Sequence, residues 1–226
     1  MGWPRKLVLV RHAQSTGNLL TVEQRADLPE PAHEYELTEL GCQQAEITGL
    51  YLKKRFCEFD ACFSSHYLRA RQTLAIAMPN AKAIEDSRLA EAQRGIWHRM
   101  NKEKVCQLYP GEVERREQED LYQYRPIGGE NWPDIEMRIH SFRQSLFLEH
   151  DDEKVLAIVH GNWFNLFQKV NDGLTAEEVL HRYKLDNHGV VDNASVTIYR
   201  GKSVNGKPRL VLEEENIVPW RVLEEI

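Results

Sequence analysis

Two short aliphatic segments in this chain each lead directly into a histidine, and this pairing constrains the fold more than any other feature. Residues 7–10 (LVLV) are followed by Arg11 and His12, and residues 155–159 (VLAIV) are followed by His160. Runs of this kind, rich in β-branched side chains, indicate strands buried on both faces of a parallel sheet. The ligand site of an open parallel sheet lies beyond the carboxyl ends of its strands. We therefore expect the two imidazoles and the Arg11 guanidinium to share one crevice.

A third strand–helix unit adds charge to the same crevice. Residues 59–64 are predicted to form a strand and residues 67–78 a helix, with Ser64 or Ser65 as the N-cap and Arg69 in the first turns. Two arginines, two histidines and helix N-termini together form a suitable site for a dianion such as phosphate.

The remaining segments alternate between strand-like and helix-like patterns. The predicted strands cover residues 6–11, 59–64, 81–85, 154–159, 196–199 and 209–213, and the predicted helices cover about 38–56, 67–78, 131–146, 162–170 and 175–184. This alternation predicts an α/β fold, a three-layer α/β/α arrangement with a mostly parallel central sheet. A hairpin turn at Asn205-Gly206 predicts a mixed edge of that sheet.

Several boundaries and faces follow from local patterns. Thr38 is predicted to cap the first long helix, with Leu40, Ile47, Leu50 and Tyr51 on its apolar side. The helix that begins at Asn131 repeats apolar residues at spacings of four, three and four, and a capping box is predicted where the last helix begins. The apolar residues of the first pattern are Ile135, Ile139, Phe142 and Leu146, and the capping box consists of Thr175 and Glu178. Residues 13–36 are polar and are expected to form a long loop over the site.

Residues 92–130, here called the lid segment, are charged and interrupted by glycine and proline. We expect them to form a partly helical insertion that covers the crevice. Some of Arg94, Arg115, Arg116 and Arg125 are expected to bind a second anionic group of the substrate. Four aromatic residues could contact an organic moiety, and these are Trp97, Tyr109, Tyr122 and Tyr124.

Composition narrows the class of protein. A chain of 226 residues with 42% hydrophobic and 28% charged residues fits one globular α/β domain with a modest lid. The net charge of −6 argues against a nucleic-acid partner, and no apolar window is long enough for a membrane span. The amino-terminal residues lead directly into a strand, so a cytoplasmic location is expected. The four cysteines are expected to be reduced, and the spacing of Cys57, Cys62 and His66 matches no common zinc pattern.

Five blocks of sequence resemble the histidine phosphatase superfamily, the phosphoglycerate mutase-like phosphatases and mutases. In order they are residues 9–15 (LVRHAQS), Ser64-Ser65 with residues 69–73 (RARQT), residues 89–91 (LAE), residues 159–161 (VHG) and, more weakly, residues 193–197 (NASVT). The resemblance implies a phosphoglycerate mutase-like fold: a single domain over residues 1–226, with the lid insertion at about 92–130.

The resemblance also implies roles for residues. His12 matches the nucleophile that becomes phosphohistidine, and Glu91 matches the general acid and base. Arg11, Arg69 and His160 match the groups that hold the phosphoryl, and a protonated His160 would be a third cation. The phosphate-binding candidates are Asn18, Asn162, Ser15 and Gly161. No metal and no cofactor are expected, because paired arginine N–H donors can neutralise the dianion.

Three departures from the family pattern affect the predicted reaction. Ala13 stands where the family usually has glycine, and His66 stands where a proline is usual after the two serines. Residues 91–95 read EAQRG rather than the E-R-x-Y-G of the mutases, which favours the phosphatase branch. Trp97 is followed by histidine and arginine rather than by the E-G common in the phosphatases.

The predicted function is metal-independent hydrolysis of a small phosphate monoester through a phosphohistidine intermediate. The alternatives are a mutase that moves phosphate within a small phosphorylated acid, and a non-catalytic module that binds phosphate or a partner. Other motifs for phosphate binding and hydrolysis are absent from the sequence. Val196 occupies the position of the required P-loop glycine, and no cysteine is followed six residues later by an arginine. No G-x-S-x-G motif is present either.

Overall fold

A mixed β-sheet runs through the centre of the protein. The computed structural model describes residues 1–26, 28, 30–185 and 191–223. Within these residues six strands form one sheet in the order β3-β2-β4-β1-β5-β6. The strands are β1 Lys6–Arg11, β2 Ala61–Ser64, β3 Ala83–Glu85, β4 Lys154–Val159, β5 Val196–Val204 and β6 Lys207–Ile217. Strands β1 to β4 are mutually parallel, and β5 is antiparallel to both β1 and β6, so the predicted mixed edge is confirmed.

Helices connect the strands and cover the sheet. In the described part of the chain they are α1 Thr16–Leu19, α2 Val22–Ala26, α3 Glu39–Phe56, α4 Leu68–Ala77, α5 Lys102–Leu108, α6 Glu112–Gln118, α7 Trp132–Glu149, α8 Gly161–Asp172 and α9 Ala176–Leu185. Short 3₁₀ helices lie at Ala32–Glu34, Ser87–Leu89, Gly95–His98 and Pro219–Leu223. None of these described helices has the length and apolar character that a membrane crossing requires.

The two faces of the sheet pack against different helices. On β1, Leu7 and Leu9 belong to an apolar cluster with residues of α7 and α8, whereas Val8 and Val10 pack with residues of α3 and α4. This division follows from the twofold alternation of side chains along a strand. The predicted three-layer α/β/α arrangement is confirmed.

The prediction of a helix from Asn131 is correct both in its first residue and in its buried face. Asn131 caps α7 in a reciprocal capping box with Asp134, and the four apolar residues of the predicted stripe are fully buried. The predicted capping box before α9 is also present, because Thr175 and Glu178 exchange hydrogen bonds.

The apolar face predicted for α3 is wrong at two positions. Thr38 caps this helix, as predicted, and accepts a hydrogen bond from the Gly41 amide at 3.0 Å. Leu40 and Leu50, however, are exposed. The buried face consists mostly of small and polar residues, namely Gly41, Gln44, Ala45, Thr48, Gly49, Leu52 and Phe56. Because close contact with neighbouring segments selects these small residues, a search for large apolar side chains misses the face.

Two other local predictions also require correction. Helix α4 begins three residues later than a cap at Ser64 requires and two later than a cap at Ser65 requires, since Tyr67 occupies the N-cap position. The Ser65 hydroxyl accepts the Tyr67 amide instead. The stretch 13–36 was expected to be a loop, but it contains α1, α2 and a 3₁₀ helix in its described part.

The lid segment has a small apolar cluster of its own. Trp97, Val105 and Tyr124 are buried together. The indole of Trp97 donates to the Tyr124 hydroxyl, which donates to the buried carboxylate of Glu112, each at 2.7 Å. The segment is partly helical, as predicted. That it closes over the crevice as an insertion in a single domain stays a prediction.

Candidate active site

Strand order brings the two histidines together. Because β1 and β4 are adjacent and parallel, Arg11 pairs with Val159, and the next residue of each strand is a histidine. The ring centroids of His12 and His160 are 5.0 Å apart. The part of the sequence prediction that brings the two imidazoles together is therefore confirmed.

The hydrogen bonds of His12 determine which of its nitrogens carries the proton. Nε2 lies 3.0 Å from Nε–H of Arg69, and a guanidinium can only donate, so Nε2 is the unprotonated nitrogen. Nδ1–H then donates to the Ala13 carbonyl at 2.8 Å. His12 thus presents a nucleophilic lone pair toward the cationic centre of the site.

The same guanidinium determines the tautomer of His160. Nη2 of Arg69 donates to Nδ1 of His160 at 3.1 Å, so the proton of this neutral ring is on Nε2. Nε2 of His160 is buried and has no hydrogen-bond partner among the described residues. The arrangement leaves one N–H donor free for an anion.

Both imidazoles are neutral at pH 7. Burial lowers the pKa of His12 and of His160 well below the ordinary value, and the charges of Arg69 and Arg11 lower both further. This suits a nucleophile, which needs its lone pair free. Without a bound anion, burial beside Arg69 therefore disfavours a positive charge on His160, and the ring offers a neutral donor. A third positive charge from His160 in the presence of a phosphoryl dianion stays a prediction.

Arg11 and Glu91 complete the centre. The Arg11 guanidinium donates to the Val191 carbonyl at 2.7 Å, while its buried Nε has no partner in the described residues. Burial lowers the pKa of Arg11 and that of Arg69, the latter to about 10, and the negative charge of Glu91 partly offsets both shifts. One oxygen of Glu91 accepts the Ala92 amide at 2.9 Å. The negative charge of Glu91 therefore acts on both arginines that would hold a phosphoryl group.

Unpaired donors point to the charge of the ligand. Two buried atoms of this centre, Arg11 Nε and His160 Nε2, have no partner among the described residues, and both are donors. Helix α8 begins immediately after His160, so its free amides lie at the same strand end. Buried donors without partners are costly, and a helix N-terminus favours negative charge. These features fit an oxyanion with several acceptor oxygens.

Sequence reasoning missed three residues that hold the centre in place. The Thr73 hydroxyl donates to the Arg69 carbonyl at 2.7 Å and accepts the Ala13 amide at 3.0 Å. The Asn193 amide donates to the His12 carbonyl at 2.9 Å. The ring of Tyr67 lies under the Arg69 guanidinium at 4.7 Å and packs edge-on against His160. Asn193 lies in the weak last block of the family pattern, which was the available signal for it.

Close packing also holds the loop after His12. A Cβ atom on Gly41 would lie 2.0 Å from the Gln14 carbonyl oxygen. Helix α3 can therefore approach this loop so closely only because residue 41 is glycine. Gln44 on the same helix accepts the Gln14 amide at 2.9 Å. Ala13, which replaces the usual glycine, is fully buried and has no positive φ, so it fits without strain.

The predicted phosphate-binding residues fall into two groups. Ser15 and Asn18 bond to each other, because Asn18 Oδ1 accepts both the amide and the hydroxyl of Ser15 at 2.9 Å. This pair caps α1. Gly161 and Asn162 form the first turn of α8, beside His160. Phosphate binding by any of the four stays a prediction.

Most of the lid arginines have other partners. Arg115 forms a two-bond pair with Glu112 and also donates to the Arg125 carbonyl. Arg125 itself pairs with Asp134, and Arg116 lies 4.2 Å above the Trp97 ring. Neither Arg94 nor Arg116 has a side-chain hydrogen bond or ion pair to the described residues, but Arg116 has the Trp97 ring beneath it. A second-anion role for Arg115 and Arg125 is therefore disfavoured, since both guanidiniums are already paired.

The fold, the histidine pair and the arginine donors define a phosphoryl-binding centre, and comparison with known sequences identifies its class. The sequence profile of the histidine phosphatase superfamily (branch 1) matches residues 7–211. The chain therefore belongs to the histidine phosphatase superfamily.

Similar proteins include both mutases and phosphatases. The 2,3-bisphosphoglycerate-dependent phosphoglycerate mutase of Methylobacterium sp. (strain 4-46) is 32% identical over 182 residues, covering 77% of this chain and 84% of the mutase. The phosphoglycerate mutase of Schizosaccharomyces pombe is 30% identical over 189 residues, covering 79% and 85%. Mycobacterial glucosyl-3-phosphoglycerate phosphatase in complex with VO₃ superimposes with a TM-score of 0.68 at 25% identity, covering 94% of this chain and 99% of that one. The α-ribazole phosphatase from Shigella flexneri, with a TM-score of 0.71 at 20% identity over 94% and 98%, shares the fold.

Proposed function

We propose that this protein hydrolyses small phosphate monoesters through a phosphohistidine formed on His12. The observation that carries the proposal is the unprotonated Nε2 of His12, which lies within hydrogen-bond distance of Arg69 in a buried cluster of donors. Five residues act together in this proposal: His12, Arg11, Arg69, His160 and Glu91. A non-catalytic binding module would not need a nucleophile with this tautomer and orientation.

In the first step, the Arg69 and Arg11 donors turn to the phosphoryl oxygens, and Arg69 releases the Nε2 lone pair of His12. That lone pair attacks phosphorus as the bond from phosphorus to the ester oxygen breaks. Glu91, in its protonated form, gives its proton to the departing alkoxide. His160 Nε2–H donates to the phosphoryl group, and the dianion would favour protonation of His160.

In the second step, water attacks the phosphohistidine. The Glu91 carboxylate takes a proton from this water, and the N–P bond breaks to return the electron pair to Nε2. Inorganic phosphate leaves, and Glu91 is again protonated for the next cycle. The charge stabilisation in both steps comes from prepositioned arginine donors.

We expect an excess of EDTA to leave the hydrolysis of an aryl phosphate unchanged. The physical reason is that Arg11 and Arg69 supply the positive charge that a metal ion would otherwise provide. Among the described residues, no group of three or more His, Cys, Asp or Glu side chains is arranged to hold a metal. A loss of activity that added divalent metal reverses would contradict the prediction, and a known metallophosphatase treated in parallel serves as the control.

A second candidate is a mutase, favoured by sequence relatives that are named phosphoglycerate mutases at 30–32% identity. Both reactions share the first step and differ in what receives the phosphoryl group. In residues 91–95 (EAQRG), Ala92 stands where the mutase pattern has arginine and Arg94 stands where it has tyrosine. This difference supports water as the acceptor of the phosphoryl group.

The two candidates can be separated with 3-phosphoglycerate followed by ³¹P NMR. We expect inorganic phosphate to accumulate, with or without 2,3-bisphosphoglycerate added as a primer. Conversion to 2-phosphoglycerate faster than phosphate release would show that the mutase reaction dominates. If this substrate does not react, an aryl phosphate tests the hydrolase activity directly.

A further inference from the structure

Tyr67 lies inside the phosphoryl centre, although neither of the two proposed steps uses it. The residue is the N-cap of α4 and is only 2% exposed. The Arg69 guanidinium lies 4.7 Å from the centroid of the Tyr67 ring, and the His160 ring packs edge-on against it with centroids 4.9 Å apart. Two of the groups that would hold the phosphoryl therefore contact this one phenol, which places it beside the reacting atoms.

Both the backbone and the ring of Tyr67 are held in place. Its amide donates to the Ser65 hydroxyl at 3.3 Å, and its carbonyl accepts the amides of Ala70 and Arg71 at 2.9 and 3.1 Å. The ring also packs edge-on against His66, with centroids 4.9 Å apart. Because the ring is fixed, the phenol oxygen has a fixed position, and only the O–H bond can rotate to choose an acceptor.

The partner of the Tyr67 hydroxyl determines which part of it remains free. Nε2 of Gln93 donates to the Tyr67 oxygen at 2.5 Å. A phenol hydroxyl accepts through its lone pairs and has one hydrogen of its own to donate. Since Gln93 supplies the hydrogen of this bond, the Tyr67 hydrogen stays available, and no described residue accepts it. A buried donor without an acceptor is costly, so we expect this hydrogen to bond to an oxygen of the ligand.

Gln93 also brings this hydroxyl close to the general acid. It follows Glu91 by two residues, and two residues of chain span at most about 7 Å. The Gln93 amide donates to the Glu130 carboxylate at 3.2 Å and the Gln93 carbonyl accepts the Glu130 amide at 2.8 Å, so its backbone is fixed. Burial raises the pKa of Tyr67, and the charge of Glu91 raises it further. The hydroxyl therefore keeps its hydrogen at pH 7, within electrostatic reach of Glu91.

The direction of the reaction indicates which ligand oxygen lies near both groups. In phosphoryl transfer the attacking and leaving atoms lie roughly in line on opposite sides of phosphorus. With Nε2 of His12 on one side, the ester oxygen lies on the other, where it must meet Glu91 to receive a proton. That oxygen has two lone pairs, so it can take the proton of Glu91 on one and a hydrogen bond from Tyr67 on the other.

We propose that Tyr67 is a further catalytic residue, whose hydroxyl donates a hydrogen bond to the ester oxygen as that oxygen leaves phosphorus. Tyr67 keeps its hydrogen throughout, and Glu91 transfers the proton that makes the departing alcohol neutral. The hydrogen bond stabilises the negative charge that develops on the oxygen before that proton arrives. Gln93 is a positioning residue, because it orients the hydroxyl without contacting the substrate. The proposal rests on the proposed function and adds a residue to its first step.

Tyr67→Phe tests the proposal, because it removes the hydroxyl and retains the ring beside Arg69 and His160. The substrates are 4-nitrophenyl, phenyl and propyl phosphate, whose leaving groups have increasing pKa values. We expect the loss in kcat/KM to grow along this series, from less than about twofold for the first to about tenfold for the last, the effect of losing one hydrogen bond to a charged oxygen. A structural effect, such as a displaced Arg69, would lower all three equally. Gln93→Leu should give a smaller loss with the same trend.

Tyr51→Phe is the matched control, because the Tyr51 hydroxyl near the end of α3 also accepts from a side chain, that of Arg55. It should leave kcat/KM unchanged for every substrate, and thermal unfolding of each variant checks folding. If Tyr67→Phe behaves as the wild type, or loses the same factor on each substrate, the catalytic role of Tyr67 is overturned while wild-type hydrolysis still supports the proposed function. A wild type that hydrolyses none of the three phosphates would instead overturn the proposed function.

Discussion

His12→Ala abolishes the release of phosphate from aryl and alkyl phosphates alike, and this is the largest effect we expect. The loss should be about 10⁴–10⁶-fold in kcat, the range seen when a covalent enzyme loses its nucleophile or the group that orients it. His12→Asn is a sharper version of the same test. Its amide can still donate to the Ala13 carbonyl, as Nδ1–H does at 2.8 Å, but it has no counterpart of Nε2. It should be as inactive as the alanine variant.

The phosphoenzyme provides a direct measurement. Brief exposure of the wild type to a ³²P-labelled substrate followed by quenching should trap protein-bound phosphate that is labile in acid and stable in base, as an N–P bond is. Neither His12 variant should carry label. His140→Ala, at an exposed histidine of α7, controls for general loss of a histidine and should behave as the wild type. Turnover near the wild-type rate in His12→Asn would rule out the proposed mechanism.

Glu91→Gln slows alkyl phosphates far more than aryl phosphates. The expected loss in kcat/KM is about 10²–10⁴-fold for alkyl phosphates and less than about tenfold for aryl phosphates. An alkoxide has a high pKa and needs a proton as it leaves, whereas a nitrophenolate does not. Because kcat/KM reports the steps through formation of the phosphoenzyme, it isolates the acid role from the later activation of water. Loss of the base role should appear separately, as a burst of nitrophenolate equal to the enzyme concentration.

Glu103→Gln is the control for this test, since Glu103 is exposed on α5 and has no hydrogen bond or ion pair to a described side chain. It should change neither substrate. Equal losses on both substrates in Glu91→Gln would mean that Glu91 acts chiefly by positioning Arg11 and Arg69, whose pKa values its charge raises.

The sequence by itself determined the parts of the site that lie at strand ends. A buried parallel strand leaves a clear local pattern, because both of its faces must be apolar. The same pattern shows where the strand stops, and hence where His12 and His160 project. Once β1 and β4 pair in register, the two rings must be neighbours. The stripe from Ile135 to Leu146 was predictable for a similar reason, because a helix that packs on a sheet repeats its apolar side chains with the period of the helix.

Only the tertiary structure decided which side chains remain free to act. Arg94, Arg115 and Arg125 are equivalent in sequence, and what separates them is whether Glu112 and Asp134 lie within reach. The protonation of His160 depended in the same way on burial and on the nearness of Arg69.

Long-range contacts also decided the residues that sequence reasoning missed. Thr73 reaches the Ala13 amide, and Asn193 reaches the His12 carbonyl, through packing between distant segments that no local period records. The buried face of α3 was missed because its contacts need small residues such as Gly41, which are invisible to a pattern based on large apolar side chains. Hydrophobic periodicity is a local property of the chain, whereas hydrogen-bond pairing, desolvation and charge compensation depend on what the fold brings within a few ångströms.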